Sequence, residues 1–326
     1  MSPTHKQTSG GLDAELAELP SQVDSQSAPG AQTSPSQDAA STVKVTGAFF
    51  DNFAGGTNAN DIPANNLAEP MLLTEDKYKR MKAARDDDVK TEIVALQNAI
   101  SELAGATDTN KAVLIMMSSG LIAVGTKMVE IYGAIHVANS LSTAIRTLIV
   151  AVGGFERFRG IVAAVAADFL LPWALPNDAV NQLLVINGLQ KKINMTEEWI
   201  MNGERFKVML QVPDAETSSR KPYAYGCGFA TYRKTRSDGN SSGSTVGIAF
   251  KAEDNSRFSV GLNSPSSNLA GGNCIRVCGD LDAKAAATYA ARSSISTERV
   301  NMNGHTCTGS LFFRYGSINY AICSLA

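Results

Sequence analysis

The run Thr245-Val246-Gly247-Ile248-Ala249-Phe250-Lys251-Ala252-Glu253-Asp254-Asn255-Ser256-Arg257-Phe258-Ser259-Val260-Gly261-Leu262 decides how this chain is read. Two short segments of strand-forming residues flank a polar break, and neither is long enough for a helix. The same grammar continues on both sides. Residues 205–212, 225–232, 274–278, 310–315 and 319–323 read as further short strands between clusters of Gly, Ser, Asn, Asp and Pro. Many short strands with such turns indicate a sandwich or barrel. One interruption, 282–292, is dominated by alanine and reads as a helix.

Upstream the period changes. Val89, Ile93, Leu96, Ile100 and Leu103 fall at alternating steps of four and three, with Asp86, Asp87 and Asp88 ahead of them. That spacing predicts one stripe on a helix. Residues 105–110 read as a break, where Asp108 or Thr109 can cap the next helix. Ile131, Ile135, Ala138, Leu141, Ile145 and Ile149 give a second stripe, and the two helices can pack as an antiparallel hairpin.

Two pieces here are too apolar for an ordinary surface helix: 112–125 (AVLIMMSSGLIAVG) and 160–176 (GIVAAVAADFLLPWALP). Both fall short of the ~20 residues that span a bilayer, and Asp168 interrupts the second. They are either buried core helices or segments sheltered in the soluble form and released into lipid. In the second case Ile115, Leu121, Ile161, Val162, Phe169, Leu170, Leu171 and Trp173 would enter the membrane. One more amphipathic piece, 178–189, leads to Lys191 and Lys192.

Residues 1–68 are rich in Ser, Gln, Thr, Ala, Pro and Gly and lack periodicity, so they read as disordered. They are a solubilising leader or a removable pro-segment masking the apolar helices. The expected organisation is a leader over 1–68, a helical region over 69–190 and an antiparallel β-sandwich over 191–326. The fold class is α+β.

A chain of 326 residues with 44% hydrophobic content can build two cores. The net charge of -2 argues against a surface built for nucleic acid. No apolar stretch follows MSPTHKQTSGG, which implies synthesis in the cytoplasm without a signal peptide. Action outside the cell or at a target membrane then needs lysis or an unconventional exit. Five cysteines, an odd count with no paired spacing, fit a reducing compartment.

The run from Tyr232 through Arg233, Lys234, Thr235 and Arg236, followed by Gly243 to Phe250, resembles the core of the actinoporin-like family. The similarity continues through Asp254 to Val260, then Pro265, Asn273 and Ile275-Arg276-Val277, and ends with Gly316 to Ile322. The resemblance covers roughly 191–326 and implies a compact sandwich that binds lipid or sugar, as in sea-anemone cytolysins, aegerolysins and fungal fruit-body lectins. It implies an insertable element near 158–189. It also implies a headgroup site at Ser264 and Pro265 with the helix bearing Tyr289. The cytolysins carry aromatics at that loop, whereas here it reads Ser264-Pro265-Ser266-Ser267-Asn268. A quaternary ammonium needs aromatic faces, so a different lipid, a glycan or a protein receptor stays open.

Arg233, Lys234 and Arg236, with Tyr223, Tyr225 and Tyr232, form the best basic and aromatic cluster. They would contact lipid phosphate or a sugar ring, or else form a solvated hairpin loop. Cys274 and Cys278, with His305 and Cys307, invite a metal reading. Four residues along a strand span about 13 Å, too far for one ion. Buried free thiols are the better account, and neither metal nor cofactor is expected. His5, His136 and His305 sit in no nucleophile or metalloprotease motif, so no catalysis is expected. Two functions follow. One is a pore-forming protein that binds a membrane lipid or glycan receptor and inserts its helices as a homo-oligomer. The other is a lectin-like carbohydrate- or lipid-binding protein without pore formation.

Overall fold

The computed structural model describes residues 55–170, 179–234, 243–265, 273–312 and 318–326. Most of the expected leader, together with Leu171, Trp173 and Arg236, lies outside them. The described part is a sandwich of two sheets with helices on both outer faces. The first sheet runs β1 (Gly55–Asn58), β5 (Ile193–Asn202), β9 (Ser244–Ala252), β10 (Arg257–Ser264) and β11 (Cys274–Gly279), with β7 (Gln211–Val212) also on β5. The second runs β12 (Thr297–Met302), β13 (His305–Leu311), β14 (Ile318–Leu325), β4 (Ala179–Asn187), β8 (Ala224–Lys234), β2 (Met71–Thr74) and β3 (Leu121–Val124). In it, β6 (Glu204–Val208) pairs with β8. The pairings are antiparallel except β14 with β4, which is parallel.

The helices are α1 (Glu75–Ala83), α2 (Asp87–Ala104), α3 (Thr109–Ser119), α4 (Thr126–Ala134), α5 (Leu141–Ala151), α6 (Phe155–Phe169) and α7 (Ala283–Ala291). The first six cover the outer face of the second sheet. The stripe Val89, Ile93, Leu96, Ile100 and Leu103 is wholly buried there, as its spacing predicts. The second expected stripe is broken, because α4 ends at Ala134 and α5 begins at Leu141. α2 packs chiefly on α6 and α3, so the expected hairpin of two long helices is replaced by a layer of shorter ones.

β4 was expected as an amphipathic piece ahead of the sandwich. It is a strand in the middle of the second sheet, with all nine residues buried. Leu183 and Val185 enter the sandwich core, while Leu184 and Ile186 enter the core beneath the helices. A strand covered on both faces loses the apolar-polar alternation that marks a half-exposed one, which is why its sequence does not announce it. β2 and β3 join the same sheet from within the expected helical region. The 112–125 piece is therefore half helix (α3) and half strand (β3). Residues 55–68, read from composition as the end of the leader, lie along the sandwich. Gly56 pairs with Trp199, and Asn66 Nδ2 donates to Phe206 O at 3.0 Å.

α7 covers the outer face of the first sheet and confirms the alanine-rich helix, with Asp282 as its N-cap accepting from Ala285 N at 2.7 Å. It can sit so low because Gly247 and Gly261 face each other across β9 and β10. A Cβ on either would collide with the backbone carbonyls of Ala283 or Ala286.

Candidate functional site

β2 runs directly into α1, whose first turn is capped by Thr74, and Thr74 N donates to Gly120 O at 2.9 Å. Gly120 ends α3 in the left-handed conformation (φ 77°), which glycine alone adopts without strain. The α3–β3 and β2–α1 turns are thereby held side by side. Facing them is the segment leading into β8, which Lys221 anchors. Its ammonium donates to Tyr132 O at 2.9 Å at the end of α4, pairs with Glu216 at 3.1 Å, and lies 4.8 Å over the Tyr132 ring. A cation capping helix carbonyls is favoured, and Tyr132 OH returns a hydrogen bond to Pro222 O.

Between these walls lies a cleft of about 630 Å³, within the usual size of a small-ligand site. It is lined by Thr74, Glu75, Asp76, Arg80, Met117, Ser118, Gly120, Leu141, Ser219, Lys221, Pro222 and Tyr223. Its charges are unevenly engaged. Arg80 pairs with Glu92 at 3.2 Å, and Glu75 with Lys79 at 2.8 Å. Asp76 is exposed and makes no hydrogen bond or ion pair among the described residues. Tyr223 is 41% exposed. The cleft thus offers an open aromatic ring, an uncommitted carboxylate and the hydroxyls of Thr74, Ser118 and Ser219.

The other expected site residues are dispersed. β8 is 11 residues long, so Tyr225 and Lys234, nine residues apart along it, stand about 30 Å apart. Tyr225 stacks on Tyr78 (centroids 4.2 Å), whose hydroxyl donates to Leu325 O at 2.8 Å and is pushed up to about 12 by burial. Tyr232 is buried, and its hydroxyl donates to Glu198 at 2.8 Å. Arg233 pairs with Glu204. The expected basic-aromatic cluster is therefore split between the two ends of one strand, and its members are largely tied to neighbours.

Ser264 and Tyr289 are also apart. Ser264 shares a face of β10 with Phe258, Val260 and Leu262 inside the sandwich, whereas Tyr289 is half exposed on α7 across the sheet, with Arg276 5.9 Å over its ring. Pro265 follows at the strand end, where Asn181 Nδ2 donates to Ser244 O at 2.9 Å and Asn319 Nδ2 to Asn181 Oδ1 at 2.8 Å.

Of the residues expected to enter a membrane, Leu121, Val162 and Phe169 are fully buried, and Ile115, Ile161 and Leu170 pack half-buried on the same core. Phe169 meets Phe229 of β8 at 4.9 Å between centroids. The end of α6 is pinned twice more. Gln97 and Gln182 both donate to Phe169 O at 3.1 Å, and Asp168 pairs with Lys207 at 3.0 Å. Burial raises the Asp168 carboxyl and the Lys207 contact opposes that. Among the described residues, no helix is long and apolar enough to cross a membrane.

Sequence reasoning missed Glu198. It is 1% exposed between the sheets and accepts from Tyr232 and Arg205. Its neighbour Glu197 faces outward and accepts from Ala283 N at 2.8 Å. The Glu197-Glu198 pair directly follows an irregularity in β5 pairing, between Met195 and Glu197, which hides the alternation that would have shown one of them to be internal.

No protein-family model matches the chain, and no curated protein matches it in sequence. Solved structures similar to it include the lipid binding protein Nakanori, at 13% identity over 56% of this chain and 86% of that one, with a TM-score of 0.38. Another is the wild-type lectin of Xerocomus chrysenteron, at 11% identity over 46% of this chain and 99% of that one, with a TM-score of 0.30. At these values the likeness bears on neither ligand nor activity.

Proposed function

We propose that this protein is a non-catalytic recognition protein whose cleft beside α1 binds a sugar of a surface glycan. The observation that carries the reading is the exposed Tyr223 ring facing a cleft that also presents the uncommitted Asp76 carboxylate. An aromatic plane receives the apolar face of a pyranose, while carboxylates and hydroxyls take its hydroxyl groups. An anionic headgroup suits the cleft less, because Arg80 and Lys221 already have carboxylate partners and Asp76 would repel it.

Glycan-array binding, followed by titration of Tyr223→Ala and Asp76→Asn, tests this. Each variant is expected to weaken binding about tenfold, the loss of one stacking or charge-assisted contact. Unchanged binding in both would overturn the site. Vesicle flotation separates a lipid headgroup from a glycan. Permeabilisation is a further activity that the described helices would support only by leaving the second sheet. Calcein release from vesicles bearing the bound glycan measures it directly.

A further inference from the structure

All five cysteines are free and buried, but two of them touch. The Sγ atoms of Cys307 on β13 and Cys323 on β14 are 3.3 Å apart. In the register of these antiparallel strands Cys323 faces Gly309, and Cys307 faces Leu325, so the two thiols lie on one diagonal. Both side chains point into the sandwich core. Gly309 offers no side chain to Cys323, and the space a Cβ would take there is filled by Val277 and Ile275 from β11. The Cys323 sulfur therefore leans along the diagonal toward Cys307.

We propose that Cys307 and Cys323 form a disulfide site that closes when the chain folds in the presence of a small-molecule disulfide such as oxidised glutathione. A disulfide bond is about 2.05 Å long, so the sulfurs need approach by little more than 1 Å. The step is two successive exchanges. One thiolate attacks oxidised glutathione and releases a glutathione thiolate. The second cysteine then displaces the attached glutathione, so two thiol protons are lost, one protein S–S bond forms and the oxidant becomes two thiols. The timing follows from burial. Burial first, and the Cys323 contact second, raise the Cys307 thiol well above its ordinary value, and the thiol rather than the reactive thiolate persists in the finished fold. The bond therefore belongs to folding, while the strands are still open to solvent. Closing the site uses one pair of the odd cysteine count and leaves the other three thiols buried.

The test refolds the full chain from denaturant with oxidised and reduced glutathione, alkylates remaining thiols and maps linked peptides by mass. A single internal link between the peptides of Cys307 and Cys323 is expected, with Cys227, Cys274 and Cys278 alkylated. The linked form, closing a 16-residue separation, is expected to melt about 5 °C or more above the protein refolded with reductant alone. Cys307→Ala and Cys323→Ala should each remove both link and shift. If either variant fails to fold, the map of the unaltered chain decides alone. Five alkylated cysteines, a link through any other cysteine, or a linked form that melts lower would each overturn the proposal.

Discussion

Asp254 shows how much one side chain can hold. Its carboxylate accepts from His305 at 2.6 Å, from Ser256 N at 3.0 Å and from Lys191 at 3.0 Å, which ties the β9–β10 and β12–β13 turns to the start of β5. The His305 bond first, then the Ser256 and Lys191 bonds, hold it well below the usual carboxylate range. A depressed carboxyl stabilises the fold fully above its unfolded value of about 4, and that contribution fades as pH falls through the lower folded value. Asp254→Asn should therefore melt below the unaltered protein at neutral pH, with the gap closing as acid is added below about pH 4. Thermal melts across that range measure it. Glu198 contributes from inside the sandwich, where it is almost wholly buried. Glu198→Ala would leave the Arg205 guanidinium and Tyr232 hydroxyl without their acceptor, at a cost of about 3 kcal/mol in urea unfolding. At this scale the sequence was partly legible. Tyr223 was singled out for its aromatic ring and stands in the cleft, but Asp76 was invisible as its partner because the two meet only through the tertiary fold.

Elements were legible where clusters of Gly, Ser, Asn and Asp mark their ends, even where both faces are covered as in β9 and β10. β11 and α7 likewise follow from their length, boundary or composition. β4 did not, since its nine buried residues carry no alternation to tell a strand from a buried helix segment. β12 was missed for the contrary reason: its inner positions Glu298, Val300 and Met302 are only partly buried and include just two apolar residues, too few to mark a strand. The signal that would have found it is Asn303-Gly304, with φ of 47° and 83°, the dipeptide of a tight hairpin turn. α7 rests on a different device, the glycine pair beneath it. Gly261→Val would drive its side chain into the helix backbone, and α7 would lift. The expected loss is about 3 kcal/mol, the upper range for overfilling a packed interface, read from the denaturation midpoint. Gly261→Ala should cost less than valine but more than a surface alanine.

For the molecule as a whole, the second sheet is the common wall of two cores. Its strands come from both the expected helical region and the expected sandwich, and the two halves of the sequence meet there side by side. A fragment beginning at Lys191 would lack β4, which separates β14 from β8, as well as β2 and β3. Such a fragment is expected to fail to give a cooperative melt, whereas a fragment beginning at Gly55 should unfold as the full chain does. Circular dichroism and size-exclusion chromatography of both check this, and a cooperative melt from the shorter piece would refute it. The grammar of short strands revealed the sandwich correctly, but it could not show that helices share its wall, because composition marks which residues prefer burial and not which surface buries them.

The parallel pairing of β14 with β4 also has a temporal side. A ribosome delivers β14 after every strand it touches, yet β13 and β4 have no direct contact until β14 lies between them. During synthesis the nascent polypeptide must therefore wait with both rims of that gap bare, a state in which sticky edges attract other chains. We expect its yield in cells to depend on chaperone supply, and truncation within Ile318–Leu325 to leave it permanently in that waiting form.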